Sequence, residues 1–157
     1  MIRYIKGDLL QLAEENYFDY IVHGCNCFCT MGAGIAKQIK RKFPVAYRVD
    51  QATITGNRSK MGSYSFAECK LKNGNSILVI NAYTQYRYGR DTRNADYRAI
   101  EKALHKLSIN TNPTQRIGMP KIGCGLAGGE WSIVEEILDR VFDDREITVV
   151  EYNNREF

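Results

Sequence analysis

Two hydrophobic periods alternate along this chain. Short apolar or alternating runs in "IRYI", "FDYIVHG", "SYSFAECKL", "SILVINAY", "RIGMP" and "EITVVEY" predict strands, with the second one buried. Between them, Ala33, Ile35, Ala36, Ile39 and Phe43 recur at helical spacing, with Lys37, Lys40, Arg41 and Lys42 mostly outside. Tyr97, Ile100, Leu104 and Leu107 share one face of a second helix. Ile133, Val134, Ile137, Leu138, Val141 and Phe142 form the buried side of a third, and Ser132 with Glu135 reads as its capping box. Asn73-Gly74 separates two strand runs and predicts a tight hairpin turn. Strands and helices interleave throughout, so the expected fold is α/β: a mixed sheet covered by helices on its faces. With no repeat, low-complexity tract or linker in view, residues 1–157 are read as one domain.

Composition adds exclusions. At 157 residues the chain can bury a real core, and 44% hydrophobic with 25% charged residues is ordinary for a globular protein. No apolar run approaches the ~20 residues of a bilayer span. The N-terminal "MIRYIKGDLL" lacks a secretory h-region and cleavage site. Five Cys, three of them crowded in "CNCFC", are no disulfide framework; the expected compartment is a reducing cytoplasm. The formal charge of +4 favours anionic ligands, yet no basic tail or Lys/Arg block marks a duplex-binding protein.

The chemistry gathers in two glycine turns. "MGAGIA" (31–36) and "GCGLAGG" (123–129) each follow a predicted strand and precede a predicted helix. Glycine allows positive φ and close approach of backbone to a ligand. Amides at a helix start hold an anion with help from the dipole. Either turn alone reads as a plain tight turn; two of them beyond the carboxyl ends of strands suit a diphosphate. "GCGLAG" satisfies G-x-G-x-x-G by letters, but too little chain follows it for a Rossmann unit.

Cys25, Cys27 and Cys29 alternate, which is poor geometry for one ion, and the pairs of a zinc site are missing. They read as small buried residues, and no metal site is expected. A catalytic thiol would need a base and an orienting group, neither of which the sequence locates. His23 has two readings: a general acid–base near the end of a strand, or a core histidine bonded to backbone.

At this point the residues resemble a known family. "GDLLQL", "IVHGCNC", "MGAGIAKQIKRKFP", "MPKIGCGLAGGEW" and "ITVVEY", in this order over nearly the whole chain, look like a macrodomain. The branch they resemble contains ADP-ribose 1''-phosphate phosphatases of the yeast type and deADP-ribosylating macrodomains. "HGCNC" followed by "GAGIA" is especially like the phosphatase members. The resemblance implies a three-layer α/β/α fold with a mixed central sheet and an ADP-ribose cleft. It matches Asp8, with the Leu9 backbone beside it, to the acceptor of the adenine amine, and Tyr152 to a residue packing on adenine. Asn26 matches the asparagine that bonds the distal ribose. Gly32, Ala33, Gly34 and Ile35 would line that ribose and the diphosphate. Gly123, Cys124, Gly125, Leu126, Ala127, Gly128 and Gly129 would wrap the diphosphate with backbone amides.

Two departures bear on the reaction. Gln85 stands where lysine-dependent glycohydrolase members carry lysine, and Ala127 where some carry an acidic residue. Arg87, Arg90 and Arg93 are candidates to meet a further terminal phosphate, or else form a solvated loop. The expectation is a cytoplasmic, monomeric phosphatase acting on ADP-ribose 1''-phosphate, with His23 and Asn26 catalytic. No cofactor, metal or membrane is implied, and nucleic acid is an admissible but not a required partner. The alternatives are removal of ADP-ribose from protein or nucleic acid, and a non-catalytic ADP-ribose reader.

Overall fold

The computed structural model describes residues 1–89 and 93–152. Six strands form one sheet: β1 (Ile2–Gly7), β2 (Tyr20–Cys25), β3 (Tyr64–Lys70), β4 (Ser76–Tyr83), β5 (Ile117–Met119) and β6 (Ile147–Tyr152). Their spatial order is β1-β6-β5-β2-β4-β3. Every neighbouring pair is parallel except the β3–β4 hairpin at one edge. The expected mixed sheet is therefore present.

Its two faces are read directly from the period of two. Ile21, Val79 and Val150 pack with α1 (Leu9–Glu14), α2 (Gly34–Lys42) and α3 (Pro44–Gln51) through Leu10, Ile39 and Ala46. Their neighbours Val22, Ile80 and Val149 turn the other way, onto α4 (Tyr97–Ile109) and α5 (Trp131–Val141) through Leu104 and Leu138. A sheet buried on both faces needs apolar side chains at consecutive positions, which is why these strands read as continuous apolar runs.

Several elements depart from the sequence reading. The helix that was expected to end near Phe43 is followed at once by α3, with Pro44 in its first turn. Proline stops a helix from its N-terminal side but suits the first turn of the next one. α1 is only six residues long, too short for helical periodicity to register. Ser132 and Glu135 are not a capping box: α5 starts at Trp131 with Glu130 as its N-cap, and the Tyr97 hydroxyl accepts the Glu130 N–H at 2.9 Å. A tertiary acceptor fixes that helix start instead of a local one. The hairpin forms as expected around Gly74, which takes φ 93°, with Leu71 N–H donating to the Asn75 carbonyl at 2.7 Å.

Because the parallel strands share one direction, Gly7, Cys25, Met119 and Tyr152 all end on the same side of the sheet. Asp8 follows β1 and caps α1: one carboxylate oxygen accepts the N–H groups of Leu10 and Gln11 at 3.0 and 3.2 Å. Asp8→Ala is expected to lower stability by about 1 kcal/mol, the usual cost of a lost cap, while Asp8→Asn stays near the parent. Urea unfolding of the three proteins checks this, and equal midpoints for Ala and parent would remove the capping role.

Candidate functional site

Beyond those carboxyl ends lies a cleft of 760 Å³. Its walls come from the two glycine turns and from the ends of β1, β2 and β6. Leu9, Asn26, Gly32, Ala33, Gly34, Ile35, Gly123, Cys124, Gly125, Ala127 and Tyr152 all line it, so distant segments expected to share a site do share one. Arg90 and the side chain of Leu126 lie outside the described residues.

The first wall is a loop held by its own side chains. Asn26 Oδ1 accepts the Phe28 N–H at 2.8 Å, and Asn26 Nδ2 donates to Thr30 Oγ1 at 2.7 Å. Cys29 and Met31 sit at φ 59° and 40°, left-handed values that cost a side-chain-bearing residue strain. Outside bonds hold the loop there: Lys60 Nζ and the Gly56 N–H both donate to the Cys27 carbonyl, at 3.0 and 2.7 Å. The loop delivers Gly32 and Ala33 to the start of α2, whose N-cap Ala33 has no side-chain cap. Uncapped amides at a helix start suit an anion.

The second wall is built from glycines with left-handed backbone. Gly123, Gly125 and Gly128 take φ 78°, 70° and 77°. The Gly129 N–H closes the turn on the Gly123 carbonyl at 2.8 Å, and an added Cβ at Gly129 would run into that same carbonyl. The Ala127 carbonyl accepts the amides of Asn94 and Ala95, which ties the turn to the segment before α4. Gly128 and Gly129 thus shape the turn from behind and do not line the cleft.

Two other expected residues also stand apart. Asp8 lies outside the lining, with Gly7 and Leu9 on either side of it lining the cleft. His23 is a correction. It is 0% exposed and bonds through Nε2 to Asn81 Oδ1 at 2.7 Å, and it does not line the cleft. Burial holds its pKa down to about 4, against a smaller opposing effect of the Asn81 bond. A neutral imidazole sealed from the cleft cannot exchange a proton with a bound substrate. β2 points His23 toward the helical layer, a direction that a strand end read from sequence does not reveal.

Arg87 stacks over the Tyr86 ring and Arg93 over the Tyr97 ring, and neither lines the cleft. Cys25 and Cys124 do line it, but burial raises both thiols, which keeps them protonated and poor as nucleophiles. Among the described residues, no group of three or more His, Cys, Asp or Glu is placed to hold a metal ion. Sequence reasoning missed Thr30, Asp50, Tyr88, Lys121 and Glu151 in the lining. Asp50 belongs to the unforeseen helix α3, while Lys121 and Glu151 pair with each other at 3.3 Å across the cleft mouth.

The His23 assignment carries a pH prediction. Its folded pKa lies below the unfolded value, so its stabilising contribution is complete above about pH 6.5 and is lost as pH falls toward 4. Between pH 7 and 4.5 the loss should reach about 2–3 kcal/mol by linkage. In His23→Gln, which does not titrate, that share of the slope should vanish. Urea unfolding at both pH values tests it; identical slopes would mean the imidazole is not buried as described.

Comparison with known proteins bears on the whole chain. A 17.5 kDa protein from the tk-vs intergenic region of Enterobacteria phage T4 is 37% identical, covering 97% of each chain. The ADP-ribose glycohydrolase OARD1 of Bos taurus is 28% identical, covering 96% of this chain and 90% of its own. The ADP-ribose 1''-phosphate phosphatase of Debaryomyces hansenii is also 28% identical, covering 95% and 98%. Among solved structures, Thermosipho africanus DarTG in complex with ADP-ribose matches with a TM-score of 0.76 at 19% identity. That match spans 99% of this chain and 43% of the other. The macrodomain of Mycobacterium tuberculosis DarG matches with a TM-score of 0.73 at 24% identity, covering 96% and 97%. The Macro domain model itself matches residues 22–138, which takes in both glycine turns, and the chain belongs to the Macro domain family.

Proposed function

We propose that the cleft binds ADP-ribose and that the protein hydrolyses ADP-ribose 1''-phosphate to ADP-ribose and phosphate. The observation that carries this reading is the pairing of two glycine-built turns on one 760 Å³ cleft, a volume within the usual range for small-ligand sites. In this reading the diphosphate lies between the start of α2 and the Gly123–Gly125 backbone, where amides donate and phosphate oxygens accept. Adenine lies toward Leu9 and Tyr152, with Asp8 at its edge. The distal ribose lies at Asn26. Water is the nucleophile, so most of the acceleration comes from orientation and preorganised donors. Gln85 and Ala127 supply neither a lysine nucleophile nor an acidic partner, which favours phosphate release over lysine-based glycosidic cleavage. The similarity to the Debaryomyces phosphatase supports the same choice.

A second reading, removal of ADP-ribose from a modified macromolecule, is favoured by the comparable similarity to the bovine glycohydrolase. Incubation with ADP-ribose 1''-phosphate and with ADP-ribosylated protein separates the two. Phosphate release from the first is expected. ADP-ribose release from the second without phosphate from the first would select the second reading, and neither product would leave a binding module.

Two variants probe the cleft itself. Asn26→Ala should lower both ADP-ribose affinity and turnover by tenfold or more, because Asn26 holds the first loop as well as facing the cleft. Gly125→Val should stay folded, since an added Cβ meets nothing within 4 Å. It should nevertheless lose binding, because a branched residue resists φ 70° and the turn must move. Calorimetry with ADP-ribose and circular dichroism check both; a folded Gly125→Val that binds like the parent would remove the second wall from the site.

A further inference from the structure

We propose that Asp50 is the general base of this cleft, its Oδ2 receiving the proton of the attacking water. The proposal rests on the hydrolase reading above and assigns that reaction a residue. Asp50 lies near the end of α3, is 1% exposed, and lines the cleft together with Asn26 and Thr30. It sits against the first loop: Cys29 Sγ contacts the Asp50 carbonyl at 3.2 Å. That is the end of the cleft where Asn26 meets the distal ribose in the proposed reading.

The two carboxylate oxygens are treated differently. Oδ1 accepts the Tyr83 hydroxyl at 2.7 Å. Oδ2 is buried and has no hydrogen-bond partner among the described residues. A carboxylate kept only for charge balance would have both oxygens engaged, because an unpaired buried acceptor is destabilising. Lys60 is near enough to act on Asp50, yet its ammonium bonds the Cys27 carbonyl and the Cys29 sulfur instead. The free oxygen borders a cleft, where a ligand or water donor can reach it.

Behind Oδ1 stands a relay whose direction is fixed by its donors. His23, Asn81 and Ser65 are in register across β2, β4 and β3. Asn81 Nδ2 donates to the Ala46 carbonyl at 3.0 Å and to Ser65 Oγ at 3.1 Å. Its Oδ1 therefore accepts from His23 Nε2–H. Ser65 Oγ, having accepted from Asn81, donates to the Tyr83 oxygen at 2.9 Å, and Tyr83 donates to Asp50. Each member is locked by the one before, so the carboxylate plane is set and Oδ2 is held toward its own partner. Tyr83 and His23 are positioning residues, and the buried histidine acts on the site only through this relay.

The chemistry follows from charge. A carboxylate repels a phosphate oxygen but accepts from neutral water, so the group it meets is the nucleophile. Water gives Asp50 Oδ2 a proton, and the electron pair of that O–H bond stays on oxygen and forms the new bond to phosphorus. The bond between phosphorus and the ribose oxygen breaks, its pair leaves with that oxygen, and the oxygen takes a proton from solvent. Asp50 then returns its proton to solvent. With a glycosidic substrate the same step attacks the anomeric carbon. The groups facing Asp50 are Tyr83 from β4, Lys60 from the turn at Arg58–Lys60, Cys25 from β2, and Cys27 and Cys29 from the first loop. Burial raises Asp50, with the Tyr83 bond and the Lys60 charge opposing, and a more basic carboxylate takes a proton more readily.

The test uses the full chain, Asp50→Asn, and whichever product the parent releases. The amide keeps an acceptor for Tyr83 but cannot take a proton. Turnover should fall a hundredfold or more, ADP-ribose affinity by calorimetry should stay within about threefold, and the acid limb of the pH–kcat profile should disappear. Tyr83→Phe should move that limb to higher pH, because it removes a hydrogen bond that favours the charged carboxylate. A folded Asp50→Asn turning over within about threefold of the parent overturns the proposal and leaves the hydrolase reading intact. If Asp50→Asn does not fold, an unmoved limb in Tyr83→Phe overturns it equally. A parent that binds ADP-ribose but releases neither product ends the hydrolase reading, and this proposal with it.

Discussion

Parallel pairing at the centre of the sheet is the constraint on which this site depends. β2 lies between β4 and β5, parallel to both, so each return connection must cross a face of the sheet and every parallel strand ends on one side. Segments about a hundred residues apart, at Asn26 and at Gly123, therefore open into the same space. An antiparallel arrangement would have sent alternate loops to opposite ends. The glycines shape the turns, but the strand direction is what makes two turns into one cleft.

The same sheet carries two kinds of interior. Toward α4 and α5 the packing is nearly all apolar, through residues such as Val22, Ile80 and Val149. Toward α3, the cleft end of the sheet carries a hydrogen-bonded polar set of His23, Asn81, Ser65 and Tyr83. Buried polar groups are tolerable only when they satisfy one another, and such a set specifies one arrangement of strands more strictly than an oily core does. A one-residue slip of β3 or β4 would separate Asn81 from its partners on both sides. Register and active-site geometry are thus held by the same bonds.

Much of this was legible in the sequence, and the exceptions have physical causes. Periodicity identified all six strands, because a sheet buried on both faces demands apolar runs. It identified the long helix α4 from Tyr97, Ile100, Leu104 and Leu107. The glycine turns stood out since positive φ restricts composition, and Gly123, Gly125 and Gly128 do adopt it. Asp50 was hidden because Pro44 reads as the end of one helix when it is the beginning of another. His23 was legible as unusual but not as buried, since exposure depends on what α3 places against β2. Ser132 and Glu135 carried the letters of a cap whose role Glu130 and the Tyr97 hydroxyl had already taken.

Phe43 closes α2 and opens α3, so no slack residue separates the two helices. Helix α2 presents its first amides to the cleft, and α3 carries Asp50 near its far end. Together they form a bent lever with a single joint, φ −126° and ψ 71°, seated under the sheet by the buried Phe43 ring. Any ligand that pulls on the front of α2 must either turn that joint or shift α3 bodily. Occupancy at the anion end is thereby felt at the carboxylate, and the chain can sense that its diphosphate is in place before the reacting end is committed.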